Sequence, residues 1–337
     1  MSFTEGQIRS SILGVSMSYQ YPGKKPSKQD IKDGVPSFDK CLESLKRELI
    51  EQGEIFVKST PFYKDGVRAP AGYVIETDRQ TIVSYHGTQI DNRANTKEVS
   101  RDFKIRKSIM SFGGQECGVH AGFKEEYEDS KVDLYKVLNK IESSNPLVFS
   151  GHSLGGAVAS IAALDASANG ELKGKEVGAV IIFGSPRVFF RSAAHLYNKL
   201  GISDKTVRIE QSGDPITKIP IKSLGYAHVG RKIKLDSKVG KTHSEAAYRS
   251  IAGNIDGGHI ESADRAESIN VSNYDVYAYM NAVMNAKGNL LRKVRDVIKS
   301  ALSFEVGLKD SSLPNNPDSP KVTNAHKHDK DYHDSVR

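Results

Sequence analysis

The run Pro146-Leu-Val-Phe-Ser-Gly-His-Ser-Leu-Gly-Gly-Ala-Val-Ala-Ser160 constrains this chain more than any other stretch. Leu147-Val148-Phe149 reads as a buried strand. The small residues Gly155, Gly156, Ala157 and Ala159 read as the opening turns of a helix packed tightly upon it. Between them stands Gly151-His152-Ser153-Leu154-Gly155, a G-x-S-x-G pattern. A serine at so sharp a strand-to-helix turn must project its hydroxyl away from the backbone, and a Cβ on the flanking residues would clash. The helix N-terminus behind it supplies partial positive charge where an oxyanion would form. The stretch therefore predicts an activated serine; the plainer reading is an ordinary Gly-rich turn with a capping serine.

The rest of the chain supplies a scaffold of the same kind. Apolar spacing predicts helices over 8–20, 38–52, 123–141, 157–168, 193–200, 244–251 and 274–304. Strands are predicted over 54–58, 72–76, 80–85, 178–183, 206–210 and 228–235, with turn signals at Asp65-Gly66 and Thr77-Asp78. Such alternation implies an α/β fold, a mostly parallel central sheet with helices on both faces. One domain is expected over 1–306, with a long polar segment over 89–118 and a disordered polar tail over 307–337.

Composition narrows the function classes. With 38% hydrophobic and 26% charged residues, 337 residues suit one large-cored globular enzyme. No apolar run approaches the ~20 residues that span a bilayer. The first residues lack a basic segment followed by an apolar one, which predicts cytoplasmic residence in the producing cell or export without an N-terminal signal. Cys41 and Cys117 are read as free thiols. The net charge of +7 permits contact with anionic lipid, while the scattered charges and missing zinc spacing argue against nucleic acid. Over 287–302 an apolar stripe from Leu290 to Leu302 opposes Lys287, Arg292, Lys293, Arg295 and Lys299. It is expected to pack on its own domain, with peripheral contact to an anionic membrane as the alternative. His326, His328 and His333 are expected to bind metal only adventitiously.

An activated serine needs a base and an acid to orient it. Asp214 lies just past the carboxyl end of the strand over 206–210, where open α/β sheets place their chemistry; the alternative is a turn-forming Asp before Pro215. Five further motifs surround the serine in order. They are Tyr85-His-Gly-Thr88, Val119-His-Ala-Gly-Phe123, Phe183-Gly-Ser-Pro-Arg-Val188, Gly213-Asp-Pro215 through Ile219-Pro220, and Gly225-Tyr-Ala-His-Val-Gly230. Together they resemble the class 3 lipases, the family of fungal triacylglycerol lipases and plant phospholipase-A1-type enzymes, over roughly residues 70–250.

That resemblance implies an α/β-hydrolase fold and a serine hydrolase of lipid carboxylic esters, working through an acyl-enzyme with no metal or cofactor. It implies Ser153 as nucleophile, Asp214 as triad acid, and Thr88 and Leu154 as oxyanion donors. His86 stands where the family commonly has Arg. The base is open between His243, whose H-x-x-x-x-Y spacing to Tyr248 resembles the family's late helix, and His259; the similar stretch 272–277 carries no histidine. His120 and His152 read as structural, and His228 as part of a strand motif. The segment over 89–118 would correspond to a lid. Its dense charge suits phospholipid or lysophospholipid, with mono- and triacylglycerol the nearest rivals. A lipid-binding protein without catalysis, or an acyltransferase, would use the same scaffold.

Overall fold

The computed structural model describes residues 3–25, 36–87, 106–172, 174–235, 243, 245–252 and 259–261. Helix α1 (Glu5–Ser18) opens on a capping box: Thr4 accepts from the Gln7 N–H, and the Gln7 side chain accepts from the Thr4 N–H. Helix α2 (Phe38–Glu51) is capped by Ser37 and buries Cys41, Leu45 and Leu49 on one stripe, as their spacing requires. The strands β1 (Phe56–Tyr63), β2 (Pro70–Thr77) and β3 (Thr81–Tyr85) then form an antiparallel meander. Strand β1 runs five residues past the predicted end at Lys58. As the sheet's outer strand it tolerates Pro61, whose missing N–H would break an inner ladder.

A hairpin follows, β4 (Lys107–Phe112) and β5 (Gln115–His120), and leads into α3 (Ala121–Asn139). Next come β6 (Leu147–His152), α4 (Leu154–Asn169), β7 (Val177–Phe183), the short β8 (Phe189–Phe190) and α5 (Arg191–Lys199). The described part closes with β9 (Thr206–Gln211), β10 (Tyr226–Ala227), β11 (Arg231–Leu235), α6 (Glu245–Ala252) and β12 (His259–Glu261).

The large sheet is ordered β1-β2-β3-β6-β7-β9-β11-β12. From β3 to β11 every neighbouring pair is parallel, and β12 returns antiparallel. Consecutive residues of its central strands face opposite cores. Val83, Phe149, Val180 and Ile182 pack with Phe123, Tyr127, Ala157 and Ile161 from α3 and α4. Ile82, Val148, Ile181 and Phe183 pack with Ile12, Val15, Leu45 and Tyr248 from α1, α2 and α6. A sheet buried on both faces explains why these strands are near-continuous apolar runs. This is an α/β-hydrolase fold, as the sequence implied.

Two expectations need correction. The hairpin belongs to a second sheet, ordered β10-β8-β5-β4, so the later part of the polar segment predicted over 89–118 is strand from Lys107 onward. Its signal was present: Met110, Phe112, Cys117 and Val119 alternate inward around Gly113-Gly114, both at positive φ. His228 precedes its strand, which starts at Arg231. Cys41 and Cys117 are buried free thiols in different cores. Among the described residues no helix is long and apolar enough to cross a membrane. The segment 89–105, the helix predicted over 274–304 with its basic face, and the tail lie outside the described residues.

Candidate active site

Ser153 sits between β6 and α4 with φ 56° and ψ −125°. Among the described residues it is the sole non-glycine at positive φ. Such a backbone costs of order 1–3 kcal/mol and persists only where its surroundings over-determine it. Here they do. A Cβ on Gly151 would lie 2.2 Å from the Gly155 carbonyl oxygen, and one on Gly155 would lie 2.4 Å from that of His86. One on Gly156 would meet the Ser185 Cβ at 2.8 Å. The Ser153 N–H donates to the Phe183 carbonyl at 2.9 Å, pinning the turn to β7.

Two later loops converge on this serine. Ser153 Oγ lies 2.8 Å from His243 Nε2, and His243 Nδ1 lies 2.8 Å from Asp214 Oδ2. A carboxylate can only accept, so Nδ1 carries the proton and Nε2 is left to accept from the serine hydroxyl. Asp214 is buried at the carboxyl end of β9. Its Oδ1 accepts from the Ile216 N–H at 2.9 Å, and its Oδ2 also accepts from the Tyr248 hydroxyl at 2.5 Å. Burial and the adjacent carboxylate raise the Tyr248 pKa, keeping that phenol a donor.

The loop that carries Asp214 is tied from several sides. Arg187 Nη1 donates to the Lys218 carbonyl at 2.5 Å and to that of Pro220 at 3.1 Å. His228 Nε2 lies 2.7 Å from the Thr217 carbonyl, and Thr217 Oγ1 donates to the Asp214 carbonyl at 3.1 Å. Arg208 Nη1 bonds the carbonyls of Val229 and Gly230 at 2.8 and 2.9 Å, fixing the path from β10 to β11.

Residues 82–224 match the family model described as Lipase (class 3). Over that stretch this chain is similar to the class 3 lipases. Over 142 residues it is 31% identical to a secreted mono- and diacylglycerol lipase A of Penicillium cyclopium, covering 41% of this chain and 44% of that protein. A lipase of Rhizopus niveus is 26% identical over 195 residues, covering 56% and 46%. The phospholipase A1-II 1 of Oryza sativa subsp. indica is 34% identical over 118 residues, covering 31% and 27%. The alignments with these relatives span less than half of each relative's own length. Among solved structures, the mono- and diacylglycerol lipase of Aspergillus oryzae aligns over 72% of this chain and 84% of its own at 20% identity, with a TM-score of 0.48.

Of the residues singled out in the sequence, the structure brings Ser153, His243 and Asp214 together. Leu154 is the first residue of α4, where backbone N–H groups have no intrahelical acceptor. Thr88 lies outside the described residues. The backbone of His259 begins β12 opposite Lys234. His120 stands before α3, stacked on Phe123 at 4.1 Å, and burial pulls its pKa down to about 3. Burial, aided by Lys64, pulls His86 down to about 4, so a neutral ring stands at the position where the resemblance implied an arginine. Sequence reasoning missed Tyr19, the anchoring role of Tyr248, and the loop-tying arginines Arg187 and Arg208. Arg187 and Tyr248 did fall inside motifs already noted; Tyr19 carried no signal. Among the described residues no group of three or more His, Cys, Asp or Glu side chains could hold a metal.

Proposed function

We propose that this chain is a serine hydrolase of lipid carboxylic esters, with Ser153 as nucleophile, His243 as general base and Asp214 as the acid that orients it. The observation that carries the reading is the unbroken chain Ser153 Oγ–His243 Nε2, His243 Nδ1–Asp214 Oδ2, with 2.8 Å at each link, ending on a strained elbow.

In this mechanism His243 Nε2 takes the Ser153 proton as Oγ attacks the ester carbonyl carbon. The carbonyl oxygen becomes an oxyanion facing the N–H groups of Leu154 and Thr88, each such donor contributing ~3 kcal/mol to the transition state. Collapse of the intermediate breaks the ester C–O bond, and the departing alkoxide takes the proton from His243. Water then attacks the acyl-enzyme by the same route and releases the fatty acid, restoring Ser153. Asp214 keeps accepting from Nδ1 and stabilises the imidazolium.

For the substrate, the relatives' names point to mono- and diacylglycerols and, in one case, a phospholipid. The charged segment over 89–105 favours polar-headed lipids. Side-by-side assay of short-chain p-nitrophenyl esters, phosphatidylcholine, monoacylglycerol and triolein ranks them. Preference for triolein emulsions would refute the argument from charge. Ser153→Ala is expected to lower kcat about 10⁶-fold. An undiminished rate in that variant, or wild type left unlabelled by a fluorophosphonate, would favour a lipid-binding protein instead. New ester formed when glycerol is added would reveal acyl transfer.

A further inference from the structure

His152 precedes the nucleophile, and its ring is buried against the base, with the two imidazole centroids 5.0 Å apart. It does not touch the reacting oxygen. Its Nε2 lies 3.0 Å from the backbone carbonyl of His243, and its Nδ1 lies 2.7 Å from the Tyr19 hydroxyl. A carbonyl can only accept, so Nε2 carries the proton, Nδ1 is a bare acceptor, and the Tyr19 O–H must donate to it. Burial and the neighbouring His243 lower the pKa of His152 well below its ordinary value, which keeps that tautomer neutral. Burial, aided by Glu245, raises the Tyr19 pKa, which keeps its phenol a donor.

Gly87 belongs to the oxyanion loop and directly precedes Thr88. The fit leaves no slack: a Cβ on Gly87 would stand 2.4 Å from the Tyr19 hydroxyl and 2.7 Å from the His152 carbonyl oxygen. Donors and acceptors thus alternate without conflict from Tyr19 through His152 to the His243 carbonyl, with Gly87 packed against both Tyr19 and His152. Tyr19 itself follows the last turn of α1, outside the matched stretch 82–224. A second tie links the same helices, from the Ser16 hydroxyl of α1 to the buried Glu245 carboxylate of α6.

We propose that Tyr19 and His152 are positioning residues that lock the oxyanion loop and the base's backbone into one register. This rests on the hydrolase reading above. Tyr19 fixes the tautomer of His152 and the seat of Gly87, and His152 fixes the carbonyl of His243. Because they act in series on one arrangement, breaking either link should loosen both ends at once, and breaking the second should add little.

The test uses the full chain, with active sites counted by fluorophosphonate labelling and kcat on a short-chain p-nitrophenyl ester expressed per labelled site. Tyr19→Phe and His152→Asn are each expected to lower kcat about tenfold with KM within about twofold, a discrimination typical of transition-state geometry. The double variant is expected to fall about tenfold, not a hundredfold. His152→Gln, whose amide nitrogen reaches the place of Nε2, should recover most of the loss. Unchanged kcat per labelled site in Tyr19→Phe, or single losses that multiply in the double variant, would overturn the relay while leaving the hydrolase intact. Wild type that takes no label would overturn the hydrolase reading and this inference with it. A fall in melting temperature without a fall in kcat per site would mark a purely structural contact, against the proposal.

Discussion

Ser153 and His243 lie 2.8 Å apart yet are held by opposite means. The serine is held by exclusion. Backbone atoms of His86, Gly155 and Gly156 crowd the turn so closely that only glycines fit around it. The histidine is held by donated hydrogen bonds, from its ring to Asp214 and from His152 to its carbonyl. Steric exclusion is written into a short contiguous stretch, whereas a hydrogen-bonded loop borrows partners from residues 19, 152, 214 and 248. The same difference separates what a reader of the sequence finds at once from what only the fold reveals.

Substitutions can break or sharpen this contrast. Among changes to the groups that hold the two residues, the largest effect is expected where the hydrogen-bonded side loses its anchor. Asp214→Asn leaves the volume unchanged but presents an amide to His243 Nδ1, reversing the tautomer. The expected loss in kcat is about 10⁴-fold with the fold retained, measured by ester hydrolysis beside circular dichroism. On the crowded side, Gly155→Ala drives a methyl toward the His86 and Tyr85 carbonyl oxygens. Here stability should fall by about 3 kcal/mol, read from urea unfolding. A soluble, fully stable Gly155→Ala protein would mean the turn is less tightly determined than the distances imply.

A smaller effect concerns pH. The ordinary histidine pKa is 6.5, and in the folded state that of His86 is lowered to about 4. The folded protein therefore resists protonation that the unfolded chain accepts. Stability from this neutral ring is full above the unfolded value and is lost as pH falls from there toward about 4. Between pH 7 and pH 5 the loss should be on the order of 1–2 kcal/mol. A His86→Asn variant should be correspondingly flatter in unfolding experiments over that range. Equal slopes would remove His86 from the acid sensitivity of the elbow.

How much of this was legible follows the same line. The turn at Ser153 announced itself because strand, glycines and helix are adjacent in sequence, and their requirements are local. The parallel core strands were readable because burial on both faces makes them continuously apolar. Asp214 was found through its place after a strand. The hairpin of β4 and β5 was overlooked because its outward-facing Lys107, Ser111 and Glu116 diluted an alternation that Met110, Phe112, Cys117 and Val119 do show. His243 stayed ambiguous against His259 for a physical reason: local pattern says nothing about which of two loop histidines a carboxylate 29 residues away will capture. Tyr19 could not have been found, since its partner lies 133 residues on and a tyrosine ending a helix is ordinary.

The positive φ at residue 153 carries a consequence beyond chemistry. A backbone kept in that region behaves like a bent spring whose clamps are β6, α4 and the glycines between them. Anything that softens the clamps lets the bend relax first, before the domain melts, so reactivity should fade ahead of shape on warming. Fluorophosphonate labelling and circular dichroism followed along one temperature ramp would then separate, the label disappearing at the lower temperature. The fold's weakest moment would sit at its working atom.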